Sequence, residues 1–147
     1  MVDLVLKGTG DVAGVLYQKI EGGFDKSAKA ILVKDIAKFH DRQQGWLNAK
    51  IMKHITEFLY GIDILDIKGT HIIDQLLELD VLTPCSVRSS KNIFIVSDSG
   101  YRKVVRLLGG GLAWETYKEV FGDEYFKSSI IRREFRLRLD AYRGGYF

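Results

Sequence analysis

Cysteine is almost absent from this chain of 147 residues, with Cys85 the only one. One thiol cannot close an intramolecular disulfide, so a disulfide-stapled secreted scaffold is excluded and a reducing cytoplasm is the expected compartment. Proline is equally scarce: Pro84 stands alone, which excludes a collagenous or proline-rich chain. No apolar run approaches the roughly 18 residues that span a bilayer. The first residues are interrupted by Asp3 and Lys7 before any signal-peptide core forms. What is present is a hydrophobic fraction of 46% with a net charge of only +3, too apolar and too neutral for disorder. One soluble domain with a real core follows.

The small net charge conceals an uneven distribution. From Lys127 onward six basic residues face two acids, so the last 21 residues carry +4 and residues 1–126 carry −1. The domain is therefore expected over residues 1–128, with a basic extension over 129–147. Phe135, Leu137 and Leu139 alternate as in a strand, while Ile131, Phe135, Leu139 and Tyr142 fit a helix, and the helix is preferred.

Along the domain the hydrophobic period changes. Val2 to Leu6, Val15 to Ile20 and Ala30 to Val33 have strand-like composition. Ile36, Ala37 and His40 fit a short helix, and Leu47, Ile51, Ile55 and Phe58 form the stripe of a second, over about residues 46–60. Trp46, Ala49, Lys50, Lys53 and Glu57 then lie opposite that stripe. Ile62 to Ile67 looks extended, and Ile72, Ile73, Leu76 and Leu77 mark a helix ending before Pro84. Asn92 to Val96 reads as a strand, followed by a helix capped by Ser97 or Asp98 with Tyr101, Val104, Val105 and Leu108 inward. Gly109 to Gly111 ends it, and Leu112 to Phe126 forms a last helix, interrupted at Gly122. The expected class is α+β: short N-terminal strands, a helix-turn-helix-like core with adjoining strands, and C-terminal helices.

Chemistry-bearing patterns are few. Gly8, Gly10 and Gly14 imitate a dinucleotide-binding turn, but no helical stripe follows them and no acidic residue arrives on a parallel second strand, so they read as turn residues. His40, His54 and His71 lack further ligands at metal spacing, and His54 is expected to be a packed, hydrogen-bonded imidazole. Neither Cys85 nor any serine sits in a recognisable nucleophile motif. No metal, cofactor or catalytic residue is expected. A short helix, a tight connection and a longer helix exposing Lys50 and Lys53 is the pattern of a helix-turn-helix, and equally of a plain helical hairpin.

The segment Ile31-Leu-Val-Lys-Asp-Ile-Ala-Lys-Phe-His40, then Leu47-Asn-Ala-Lys-Ile51 and Tyr60-Gly-Ile-Asp-Ile-Leu-Asp66, resembles the N-terminal domain of phage antirepressors, the ORF-N branch of the KilA-N and Bro-N group. So do Asn92-Ile-Phe-Ile-Val-Ser-Asp-Ser-Gly-Tyr-Arg-Lys103, Leu112-Ala-Trp-Glu-Thr-Tyr117 and Glu124-Tyr-Phe126, and the ordered set covers about residues 30–128. The resemblance implies a DNA-binding regulator in the cytoplasm of a bacterial host cell. By position, Asp35 to His40 would support a reading helix over Gln43 to Lys53. Gln43 or Gln44 would read base edges and Lys50 and Lys53 would meet phosphates, with Asn48 on the inward side. Arg132, Arg133, Arg136 and Arg138 would add nonspecific attraction to DNA. Family members commonly continue into a second domain, and a homodimer is the expected assembly on a symmetric site. The rival expectation is a module that binds a repressor or another host or phage protein, through Trp46, Tyr60 and Tyr142.

Overall fold

Residues 4–12, 14–24 and 29–122 are described in a computed structural model. Arg132, Arg133, Arg136, Arg138 and Tyr142, the helix-or-strand choice for the tail and the boundary at 128 lie outside the described residues. The chain is α+β, as its residue pattern implies. Strands β1 (Val5–Val12), β2 (Val15–Glu21), β3 (Lys29–Leu32), β4 (Ile64–Asp66) and β5 (Phe94–Val96) form one sheet in the order β1-β2-β3-β5-β4. All neighbouring pairs are antiparallel. Both β3 and β4 run antiparallel to β5, so they are parallel to each other with β5 inserted between them. Helices α1 (Val33–Phe39) and α2 (Gln44–Lys53) cross from β3 to β4. This is a split β-α-β unit preceded by a hairpin.

Strand alternation divides the interior in two. Ile31, Ile64, Phe94 and Val96 face one core, where they meet α1, α2, α5 (Asp98–Leu108) and α6 (Gly110–Gly122) through Ile36, Leu47, Ile51, Tyr101, Val104 and Val120. Ala30, Leu32, Leu65 and Ile95 face the other, packed on Ile72, Ile73 and Leu76 of α3 (Ile72–Glu78) and edged by Val87 of α4 (Pro84–Ser89). A central strand covered on both faces needs apolar residues at consecutive positions. Ile31-Leu32 and Phe94-Ile95-Val96 supply them, and all five are at most 4% exposed.

Several boundaries differ from the pattern. The second helix stops at Lys53, because His54 leaves helical geometry at φ −114° and ψ 23°, and Ile55–Glu57 forms a 3-10 turn. Ile55 and Phe58 still reach the first core, so the stripe persists though the α-helix does not. Val33 opens α1 instead of closing β3. The first strand starts at Val5 and runs to Val12, so Gly8 and Gly10 lie within β1; only Gly14 sits in the hairpin turn. Gly8, at φ +85°, sits where the register shifts between Leu6 and Thr9, a bulge that a side chain would strain. Gly109 alone separates α5 from α6. Helix α4, unseen in the stripe pattern, starts from a capping box in which Thr83 Oγ1 accepts from the Ser86 N–H at 3.1 Å and Pro84 occupies the first turn.

Candidate functional site

Helices α1 and α2 are joined by His40, Asp41, Arg42 and Gln43. Arg42 N–H donates to the Ala37 carbonyl at 2.8 Å, and Asp41 takes the left-handed conformation, φ 53°, that its short polar side chain tolerates. Leu47 and Ile51 are fully buried and pin α2 by one face. His40 secures the turn from behind: its Nε2 lies 2.7 Å from the hydroxyl of fully buried Tyr101, with the two rings edge to face at 5.7 Å.

Burial, assisted by the charge of Arg42, pulls the His40 pKa down from 6.5 to about 4. The unfolded chain therefore takes this proton near pH 6.5 and the folded chain only near pH 4. Stability from His40 is full above 6.5 and falls as pH drops through that window. Asp35 acts in the opposite sense, since burial raises its pKa. The difference between wild type and His40→Gln isolates the histidine: thermal melts from pH 7 to 4 are expected to converge as pH falls, and parallel curves would refute the assignment.

The outward part of α2 has two flanks. On one, the exposed Trp46 ring lies under two cations, with Arg42 Cζ 5.0 Å and Lys50 Nζ 5.3 Å from its centroid. Lys50 and Lys53 line a 260 Å³ cleft beside Trp46. Among the described residues Arg42, Lys50 and Lys53 form no ion pair. Each cation–aromatic contact at an exposed site is worth about 0.5–1 kcal/mol, enough to bias two flexible side chains toward one arrangement.

The other flank carries Gln44 and Asn48, which line a 680 Å³ groove closed on its far side by Ser89, Ser90 and Lys91. Asn48 Oδ1 is buried there without a hydrogen-bond partner among the described residues. The four expected contacts on this helix are thus not one patch. Gln44 is six residues from Lys50 and nine from Lys53, which places it about 120° and 180° from them around the helix. Gln43 precedes the helix as its cap residue. Lys50 and Lys53 do come together. Arg42, the neighbour of Gln43, is a further cation of the same stretch of chain, whereas the groove wall from Ser89 to Lys91 joins the site only in three dimensions, since α4 intervenes where no apolar stripe announces a helix.

A second polar cluster lies elsewhere. Buried Asp63 pairs with Lys103, accepts from the Leu59 N–H at 2.8 Å and from Ser99 Oγ at 2.6 Å, and burial is outweighed so that its pKa lies below the usual carboxylate value. Every polar atom there is engaged by the protein itself, the mark of a structural network. His54 Nδ1 is hydrogen-bonded to Glu57 Oε2 at 2.6 Å, as expected, but the imidazole is half-buried at the edge of the Lys50–Lys53 cleft and not packed in the core. Among the described residues no group of three His, Cys, Asp or Glu side chains could hold a metal ion, and no helix is long and apolar enough to cross a membrane.

Fold and surface together define an α+β domain in which two short helices, α1 and α2, are joined by a four-residue connection on one face of an antiparallel sheet. Comparison of the chain with models of protein families, with curated proteins and with solved structures returns no match.

Proposed function

We propose that this chain is a DNA-binding regulatory domain of the phage antirepressor kind, acting in the cytoplasm of a bacterial host cell. The observation that carries the reading is α2 itself. It is anchored by Leu47 and Ile51, reached through a four-residue turn, and presents Arg42, Lys50 and Lys53 around an exposed Trp46 with no acid pairing them among the described residues. Residues 1–126 carry −1 overall, so attraction to phosphate is local to this surface. The role of the arginine-rich tail is added nonspecific attraction, and a symmetric target would call for a homodimer.

Titrating salt against affinity for duplex DNA tests it. A linear log–log dependence is expected, and Lys50→Ala with Lys53→Ala should flatten the slope by about two, one for each phosphate no longer neutralised. Undetectable binding at low salt would sink the reading.

A protein-binding role has one observation in its favour: Leu59, Tyr60 and Ile62 are 57%, 67% and 60% exposed in a single loop ahead of β4. Stoichiometric capture of a repressor-like protein that survives nuclease and is lost in Tyr60→Ala would favour it over DNA.

A further inference from the structure

We infer that the groove between α2 and the segment from Ser89 to Lys91 seats one phosphodiester strand of duplex DNA, so that α2 is gripped on both flanks. The inference rests on the DNA reading of α2 and adds a second contact surface to it. Among the described residues no carboxylate lines the groove. Its far wall offers the Ser90 hydroxyl and the exposed Lys91 ammonium, neither of which bonds to a described residue. Arg88, exposed in the last turn of α4 just ahead of this wall and outside the groove lining, is a second cation with no ion pair among the described residues.

The wall is held from behind. Asn92 Nδ2 donates to Asp66 Oδ2 at 2.7 Å, Ile93 N–H donates to Asp66 Oδ1 at 3.0 Å, and Lys68 Nζ donates to the Ser90 carbonyl. These bonds consume the neighbouring polar groups and leave Ser90 Oγ and Lys91 Nζ for the groove. The backbone that carries this cation and hydroxyl is held, so a phosphate leaves only their side chains to be ordered.

The near wall has a different chemistry. Asn48 brings a carboxamide whose buried oxygen accepts nothing, one turn beyond Gln44 on the same flank. An unpaired buried acceptor costs about 1–3 kcal/mol and stabilises nothing in the fold. That oxygen is closed to solvent, so a base edge meets it once the carboxamide turns into the groove; adenine then satisfies it most fully, because N6–H donates to the carboxamide oxygen while N7 accepts from its NH₂. With the strand seated, Lys91 and Ser90 hold its phosphate, Asn48 reaches the base edge, and Lys50 and Lys53 meet phosphates from the opposite flank.

The test compares Lys91→Ala, Asn48→Ala and the Lys50→Ala/Lys53→Ala pair on a random-sequence duplex of about 20 base pairs, long enough for two helical turns, and on the best-bound duplex selected from a random pool. Lys91→Ala is expected to flatten the salt slope by about one, additively with the lysine pair. Asn48→Ala should leave the slope unchanged, cut the preference for the selected duplex about ten-fold, and keep or raise Tm, which a structural asparagine would not do. If Lys91→Ala and Asn48→Ala bind as wild type while the lysine pair flattens the slope, the groove inference falls and the DNA reading of α2 stands. Failure of the wild type to bind any duplex overturns both. Tighter binding of a single strand or of a peptide, dependent on Lys91, overturns the duplex as occupant.

Discussion

Gly100→Ala is expected to lower stability by about 3 kcal/mol or more, roughly 10 °C in Tm for a domain of this size. The cause is steric, since Gly100 sits inside α5 and has no need of positive φ. A Cβ there would fall inside the van der Waals surface of the Asp63 carbonyl oxygen, 2.9 Å from its carbonyl carbon and 2.9 Å from Val96 Cβ. The first two of these atoms are backbone, and Val96 is fully buried in β5, so no side chain can swing aside. The same carbonyl accepts from the Ser97 N–H at 3.1 Å, and Ser97 Oγ donates to the Ile62 carbonyl at 2.7 Å. Relief of the clash would pull α5 off β4 and break both bonds. Gly111→Ala serves as the control: among the described residues nothing lies within 4 Å of a Cβ placed there, and a gain of about 0.5 kcal/mol is expected from helix propensity. Equal denaturation midpoints for the two variants would refute the close-approach argument.

Much of this lock is legible in residue order. Ser97 and Asp98 are both candidate caps for α5, and the structure selects Ser97, its Oγ accepting from the Gly100 N–H at 3.3 Å while Asp98 turns to Arg102 and Tyr117. The inward stripe of Tyr101, Val104 and Val105 lies in the core as its spacing implies. Gly61-Ile-Asp63 and Ser97-Asp-Ser-Gly100-Tyr101, segments that carry the antirepressor resemblance, meet face to face in space. They hold the fold together, and none of them lines either flank of α2. That part of the resemblance speaks about packing, while Leu47 to Ile51, which also carries it, supplies Asn48 and Lys50 to the two flanks.

The less legible parts have physical reasons. A stripe with spacings of four, four and three residues continues through the 3-10 turn at Ile55–Glu57, because periodicity reports which side chains are buried and not how the backbone is hydrogen-bonded. Gly8 and Gly10 resemble turn residues, yet one shapes a bulge and the other gives way to the Tyr17 ring, whose atoms would lie 2.6 Å from a Cβ at Gly10. That pressure comes across the strand pair from a residue seven positions away. On α2, wheel geometry places Lys50 and Lys53 outward correctly, but the groove wall belongs to Ser89, Ser90 and Lys91, some forty residues on. Only the tertiary packing of α4 on the second core brings it there.

Asp63→Ala is expected to cost about 3–4 kcal/mol, the second large effect, and to leave the salt slope of DNA binding unchanged. Asp63 is 2% exposed and its carboxylate satisfies the Leu59 N–H, the Ser99 hydroxyl and the Lys103 ammonium together. Removing it strands the Leu59 N–H and leaves Ser99 and Lys103 with one partner each, Ser97 Oγ at 3.0 Å and the Glu57 carbonyl at 2.9 Å. Lys103→Met should cost less, and the double variant should cost less than the two single losses combined, by a coupling of about 1–3 kcal/mol. The pH dependence has a definite sign. Burial alone would raise the Asp63 pKa, but its hydrogen bonds and Lys103 hold it below the ordinary aspartate value of 3.8, so the folded state binds this proton less readily than the unfolded one. Its contribution is present above that value and is lost as pH falls below it, at the acid end of the range where His40 has already begun to charge. Chemical denaturation of wild type and Asp63→Ala at pH 7 and pH 3 separates the two groups: the gap between the curves should narrow at pH 3, and a gap independent of pH would mean that Asp63 acts through packing and not through charge.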